Sequence, residues 1–438
     1  MKQIFAGLVL MFHCAAAMQA QASESTSLSE ADKADVLDAL RKTLERNYVY
    51  EEKVPAIVLE LERRLQSGDY RSSDSAGAFA EDLTQDLIEI SEDLHFAVTY
   101  DPEWIALHRA SGDETSMRED QLSFLRRSNY GFRQLKILEG NVGYVRFDYF
   151  PDPARAFEAG AGAMRFVENA DALIFDVRYN RGGHNQFAQF LSSYLFDAAE
   201  HQLLHEYSYR SDGETLTGTY WTMPALPGPR RPEIPVYVLT STTTFSAAEW
   251  FAYALQKLDR AKIVGQQTSG ASHAVDRKPV DDKFILQVPV GVGRDPVDKS
   301  DFEGVGVLPD HGSQSSKALA VAHKLAIETL VSKMPEAQNE YEWLMPVIDA
   351  RLSAPDISHA RLQRLAGQYE GRKIVLQNGQ LVYHWRGRFN LALTPLGPNL
   401  FAVEGSDDFR FRFTEKNGSI SALERVTKSG RVIVYPRR

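Results

Sequence analysis

Ala172-Leu-Ile-Phe-Asp-Val177, running on into Arg178-Tyr-Asn-Arg-Gly-Gly183, is the stretch on which the reading of this chain turns. A run this short and this apolar, closed by a glycine pair, marks a strand buried on both faces. The flanking sequence supplies the layers that would bury it. Asn141-Val-Gly-Tyr-Val-Arg-Phe147 alternates like a strand. Residues 157–168, 187–195 and 247–258 suit helices, and 236–239 and 261–264 are further short apolar strands. Strand and helix alternate, which predicts an α/β core over residues 101–330.

On either side the texture changes. Residues 28–66 carry apolar side chains at helical spacing, clearest at Val36, Leu37, Leu40, Leu44 and Tyr48, and 78–90 give another helix. This predicts a helical module of about three helices over 23–100. Residues 314–353 return to helix, 331–354 serving as a linker. From 355 to 438, Asn378-Gly379, Asn417-Gly418 and Ser429-Gly430 punctuate short alternating runs. Asn-Gly between alternating runs signals a hairpin, so the tail reads as a small antiparallel β domain. His384 and Trp385 there read as strand residues.

The 438 residues favour two or three domains, and 43% apolar with 25% charged residues is an ordinary globular balance. Residues 1–22 stand apart. Lys2 is followed by an apolar run and then by Ala20-Gln21-Ala22, the order of a secretory signal peptide. The run is too short to span a membrane comfortably, and no other span is evident. Cleavage removes one lysine and no acid, taking the net charge from −10 to −11. That argues against a nucleic acid or an anionic membrane surface as partner. Cleavage also removes Cys14, the only cysteine, so a mature chain has no disulfide and no cysteine-based metal site. The expected compartment is periplasmic or extracellular.

Three segments can carry chemistry: 176–183 after a buried strand, 243–249 between a strand and a helix, and 302–310. Ser246 falls at a helix N-terminus, where the partial positive charge favours a developing anion and the Ala247 N–H is free to donate. Gly182 and Gly183 let backbone N–H groups approach a ligand without a Cβ in the way. Together these can form an oxyanion hole. Ser246-x-x-Glu249 equally fits a capping box, which needs no function. A nucleophilic serine needs a base, and His95 and His273 are both candidates. His201 and His205 are four apart, as metal ligands on a helix can be, but no His-Glu-x-x-His motif accompanies them. Gly160-x-Gly162 lacks the third glycine of a dinucleotide-binding turn. No cofactor or metal site is expected.

At these segments the sequence resembles the tail-specific protease superfamily, which includes the carboxyl-terminal processing peptidases, the tricorn core protease and the interphotoreceptor retinoid-binding protein. The resemblance covers roughly residues 30–330 and rests on Leu173 to Gly183, Val238 to Glu249 and Ile263 to Gly270, in that order. It implies a crotonase-like α/β fold and a serine peptidase with Ser246 as nucleophile. In the Ser/Lys branch a lysine follows the glycine of the later turn; here Ala271 stands there. Between His95 and Gly140 there is too little chain for the PDZ domain of that branch. The sequence is more similar to the retinoid-binding-protein and tricorn branch. His95 falls on its histidine segment, and Glu303 on its late Glu-Gly-x-Gly-Val-x-Pro-Asp segment. Where the tricorn arrangement has a serine before the histidine, this chain has Leu94. The resemblance thus implies His95 as base, Glu303 as its support, and Gly183, Ala247 and Gly182 around the oxyanion. A peptide or protein is the implied substrate. A non-catalytic binder of hydrophobic molecules and an esterase-type hydrolase are the alternatives on the same scaffold. Oligomeric state is left open.

Overall fold

The computed structural model describes residues 27–111, 119–385 and 389–438. The expected signal peptide and Cys14 lie outside them. No helix among the described residues is long and apolar enough to cross a membrane.

The central sheet has six strands. Ala172–Asp176, buried at every position, lies between Val142–Phe147 and Val236–Thr240 and runs parallel to both. Lys262–Gly265 and His311–Gly312 extend the parallel set on one side, and Phe132–Leu138 adds an antiparallel strand at the other. Helices Pro153–Phe166, Asn185–Ser193 and Ala247–Lys257 connect successive parallel strands. A core dominated by Phe147, Phe150, Phe175, Phe187 and Phe251 packs beneath them. The opposite face is covered by Ser315–Lys333 and Gln338–Leu352. Both faces are therefore dry, which is why these strands read as unbroken apolar runs.

The helical module consists of Glu30–Asn47, Val54–Ser67 and Ala76–Ser91. The first ends at Tyr48, whose extended backbone breaks the pattern before a short 3-10 turn restarts it. Its apolar face, with Leu40, Leu44, Phe79 and Leu83, shares one core with Phe284, Leu286, Val288 and Val290 of the strand Phe284–Arg294. That strand belongs to a second sheet, with Ala97–Tyr100, Leu203–Ser211, Glu214–Trp221 and His273–Pro279. The sequence reading assigns no strand to these segments. Asp212-Gly213 at positive φ (51° and 87°) closes the Leu203–Ser211/Glu214–Trp221 hairpin, the Asp-Gly pair being a local turn signal.

The tail forms an eight-stranded antiparallel sheet with neighbours in chain order. Asn378-Gly379 and Asn417-Gly418 adopt positive φ at its hairpins, as their composition predicts. A bridge from Tyr369 to Arg437 brings first and last strands together, so the sheet nearly closes around Tyr369, Leu381, Phe401, Phe411 and Leu423. His384 and Trp385 fall within its strand Gln380–Trp385.

Candidate active site

The two loops leaving the C-terminal ends of Ala172–Asp176 and Val236–Thr240 are laced together. Thr244 Oγ1 donates to Val177 O (2.9 Å), and Thr243 Oγ1 to Arg178 O (2.8 Å). Ser241 Oγ also donates to Arg178 O, and Phe245 N to Asn180 O (3.1 Å). The polar run 241–244 is thus structural glue. Asp176 is fully buried; it accepts from the Arg178 guanidinium (2.9 and 2.6 Å) and from Tyr144 Oη (2.6 Å). A buried carboxylate so satisfied anchors the loop.

Ser246 sits half-buried at the turn from strand to helix with φ 55° and ψ −124°, a conformation that L residues avoid. Such a residue stores roughly 1–3 kcal/mol of strain, held by its surroundings. Gly182 is one of them: a Cβ there would lie 2.7 Å from Ser246 Cβ. Glu249 is another. Its buried carboxylate accepts from Ser246 N (2.8 Å), the capping contact the sequence suggested. It also accepts from Thr268 Oγ1 (2.5 Å), Gly270 N (2.6 Å) and Ala271 N (3.0 Å), so it pins the neighbouring turn to the serine. Burial pushes this carboxyl above the ordinary glutamate value, against the pull of those four donors. That wider role was not legible in the sequence.

Of the expected oxyanion donors, Ala247 N is at the first helical position, where no intrahelical acceptor exists. Gly183 pairs with Phe150 through the flanking groups, Phe150 N to Gly182 O (2.8 Å) and His184 N to Phe150 O (2.9 Å), leaving the Gly183 N–H outside the pairing. Gly183 must be glycine: φ is 130° and a Cβ would lie 2.0 Å from Phe150 O. Gly182 differs from expectation. Its N–H donates to Asn180 Oδ1 (2.8 Å), so it shapes the loop without being a free donor.

The candidate bases come from the other sheet. Glu92, at φ 58°, ends the helix Ala76–Ser91 and turns the chain into Asp93-Leu94-His95. Ala97–Tyr100 then pairs with Phe284–Arg294, which also pairs with His273–Pro279. One long strand so brings His95 and His273 together, their rings 5.8 Å apart. Asp93 bridges them. Its Oδ1 lies 3.3 Å from His95 Nδ1, and its Oδ2 accepts from His273 Nδ1 at 2.6 Å. All three residues are buried. Burial works against the Asp93 carboxylate, but the bonds from His273 and then His95 hold it well below the ordinary aspartate range. Burial likewise opposes charge on His273, yet Asp93, Glu303 and Asp301 raise its pKa.

The two imidazoles differ at Nε2. That of His273 is engaged by Tyr50 Oη at 3.1 Å. That of His95 is buried without a partner, and its ring packs 5.1 Å from that of Phe245, the neighbour of Ser246. Glu303 Oε2 accepts from Ser272 N (2.6 Å) and Ser272 Oγ (3.1 Å) and lies 3.7 Å from His273 Nδ1; Oε1 is buried without a partner. One donor atom from each of Asp93, His95, His273 and Glu303 lies within 4.8 Å of the others, a donor set that can hold a metal ion. His201 and His205 do not: His201 is exposed in a loop, while His205 is in the strand Leu203–Ser211 against Trp250. Asp93 is the residue to which the sequence reading gave no role. A carboxylate two positions before a histidine was its only signal.

Residues 141–313 match the family described as Peptidase family S41, and residues 20–123 match the N-terminal domain of this peptidase family in eukaryotic IRBP. Together these segments make up more than half of the chain, and they contain all the site residues described above. The protein belongs to peptidase family S41. It is 28% identical over 172 residues to a carboxyl-terminal-processing protease of Synechocystis sp., a match covering 39% of this chain and 37% of the relative. A protease of the same name from Picosynechococcus sp. is 27% identical over 175 residues, covering 39% and 38%. The chain thus spans well under half the length of these curated relatives. Among solved structures, the photosystem II D1 C-terminal processing protease superposes with a TM-score of 0.42 at 15% identity, covering 66% of this chain and 94% of that one.

Proposed function

We infer that this protein is an exported serine peptidase that cleaves peptide or protein substrates through an acyl-enzyme on Ser246. One juxtaposition carries the reading: a strained serine at a helix N-terminus follows directly on Phe245, whose ring packs 5.1 Å from a buried imidazole whose Nδ1 faces a carboxylate and whose Nε2 has no partner. His95 Nε2 takes the Ser246 hydroxyl proton as the oxygen attacks the scissile carbonyl. In a substrate-free site this hydrogen bond is commonly open and tightens only with substrate. Asp93 fixes the Nδ1–H tautomer and stabilises the imidazolium as it forms. The N–H groups of Gly183 and Ala247 hold the oxyanion, each contributing about 3 kcal/mol. His95 then protonates the leaving amine, and water hydrolyses the acyl-enzyme by the same route. His273, its Nε2 already engaged, serves with Glu303 to hold Asp93 in place. The similarity to two carboxyl-terminal-processing proteases and the family membership support peptide-bond cleavage.

Export rests on the signal-like residues 1–22, and the compartment we propose is periplasmic or extracellular. The parallel sheet with helical crossovers suits a crotonase-like core over 101–330, flanked by a helical module at 23–100, a linker at 331–354 and a β domain at 355–438. Labelling of the purified protein with a fluorophosphonate, followed by mass mapping, tests the centre. Adduct on Ser246, lost in Ser246→Ala, is expected. A folded protein that takes up no label would overturn the reading.

A further inference from the structure

We propose that Asp93, His95, His273 and Glu303 form a binding site for a borderline divalent transition ion, zinc in the first place, which switches the serine centre off. The inhibitory half rests on the serine-peptidase reading; the binding half does not.

Three chain segments distant in sequence converge here, each bringing a donor zinc accepts: two imidazoles and two carboxylates, within 4.8 Å of one another. In a tetrahedral site with metal–ligand bonds of about 2.0–2.1 Å, ligand atoms stand about 3.3 Å apart. His95 Nδ1 and Asp93 Oδ1 are already 3.3 Å apart, and His273 Nδ1 and Glu303 Oε2 are 3.7 Å apart. The His273–Asp93 contact, at 2.6 Å, must open, and an ion between them does this by replacing the shared proton. Charge agrees as well. Coordinated imidazoles bind through a deprotonated nitrogen, so the occupied set carries two negative charges from its carboxylates, and a divalent cation balances them.

Two further observations point to a ligand. Glu303 Oε1 is buried and unpartnered. Unpaired buried polar atoms are costly and rare. The ligand groups are also braced from behind, as metal ligands are. Tyr50 Oη holds His273 Nε2, Ser272 holds Glu303, and the His95 backbone N–H donates to Asp93 Oδ1 at 3.0 Å. Two imidazoles select zinc, copper or nickel over magnesium or calcium, which prefer oxygen.

Binding removes the base whichever nitrogen of His95 is used. Coordination through Nε2 takes the lone pair that would accept the Ser246 proton. Coordination through Nδ1 leaves the proton on Nε2, where it blocks the same acceptance.

The test is zinc chloride titrated calorimetrically into the metal-free full-length protein, with fluorophosphonate labelling followed in parallel. One saturable equivalent is expected, with enthalpy that varies with buffer because protons are released, and with no response to magnesium. Ser246→Ala should bind zinc as tightly as wild type. Glu303→Gln, which keeps shape, and His273→Ala should each weaken binding at least tenfold; circular dichroism establishes that they fold. One equivalent of zinc should slow Ser246 labelling at least tenfold, with recovery in chelator. Absence of saturable binding, or undiminished binding by folded Glu303→Gln and His273→Ala, overturns the site. Site-dependent binding that leaves labelling unchanged overturns the inhibition. A protein that binds zinc as described but never labels refutes the peptidase reading and leaves the metal site standing.

Discussion

Asp93 Oδ2 accepts a 2.6 Å hydrogen bond from His273 Nδ1 across a sequence separation of 180, while its other oxygen faces Nδ1 of His95. Both carboxylate oxygens are therefore committed, and an amide cannot replace them, since it offers one acceptor and two donors. Asp93→Asn should fold and should lower the rate of Ser246 labelling, and of turnover once a substrate is found, on the order of 10²–10⁴-fold by presenting His95 in the wrong tautomer. Equal labelling rates in the two proteins would remove Asp93 from the mechanism.

Gly183 leaves no room for a side chain, because a Cβ would meet Phe150 O at 2.0 Å and the backbone lies at φ 130°. Gly183→Ala should lower the unfolding free energy by roughly 1–3 kcal/mol, read in urea, and should suppress labelling further by moving the proposed oxyanion donor. Gly162, with open space around it, is the control, and Gly162→Ala should be tolerated.

Glu249 accepts four hydrogen bonds in a buried setting. Glu249→Ala leaves those donors without an acceptor. A loss of at least about 3 kcal/mol is expected by equilibrium unfolding, since each stranded donor costs about 1–3 kcal/mol. A variant as stable as wild type would mean that the turn at 268–271 finds other partners.

His205 gives the fold a pH dependence separate from that of the site. Burial pushes its pKa down to about 3, from 6.5. A histidine depressed in the folded state contributes stability above its unfolded pKa and loses it as pH falls toward the folded value. Wild type should therefore lose about 1.4 kcal/mol per pH unit below about 6.5 relative to His205→Phe, whose ring can fill the space against Trp250 and Tyr220. Parallel stability curves from pH 7 to pH 4 would show that His205 is solvated.

The sequence by itself determined the layered α/β core and the position of the serine. Leu173-Ile-Phe and Val236-Tyr-Val-Leu239 are legible because a strand covered on both faces has to be apolar at every position. Ser246 is legible because strand, turn and helix N-terminus are local features, and the tail hairpins because Asn-Gly declares its turn locally. Its reading of Gly182 as a donor failed on a hydrogen bond to Asn180 Oδ1, two residues away, that spacing does not reveal. Tertiary structure alone decided how the charges are arranged. Asp93, His95, His273 and Glu303 meet because strands 97–100 and 273–279 flank one long strand, a pairing set by non-local register and a core shared with the N-terminal helices. Which of two histidines keeps a free Nε2 depends on where the Tyr50 hydroxyl lands, and neither composition nor periodicity encodes that.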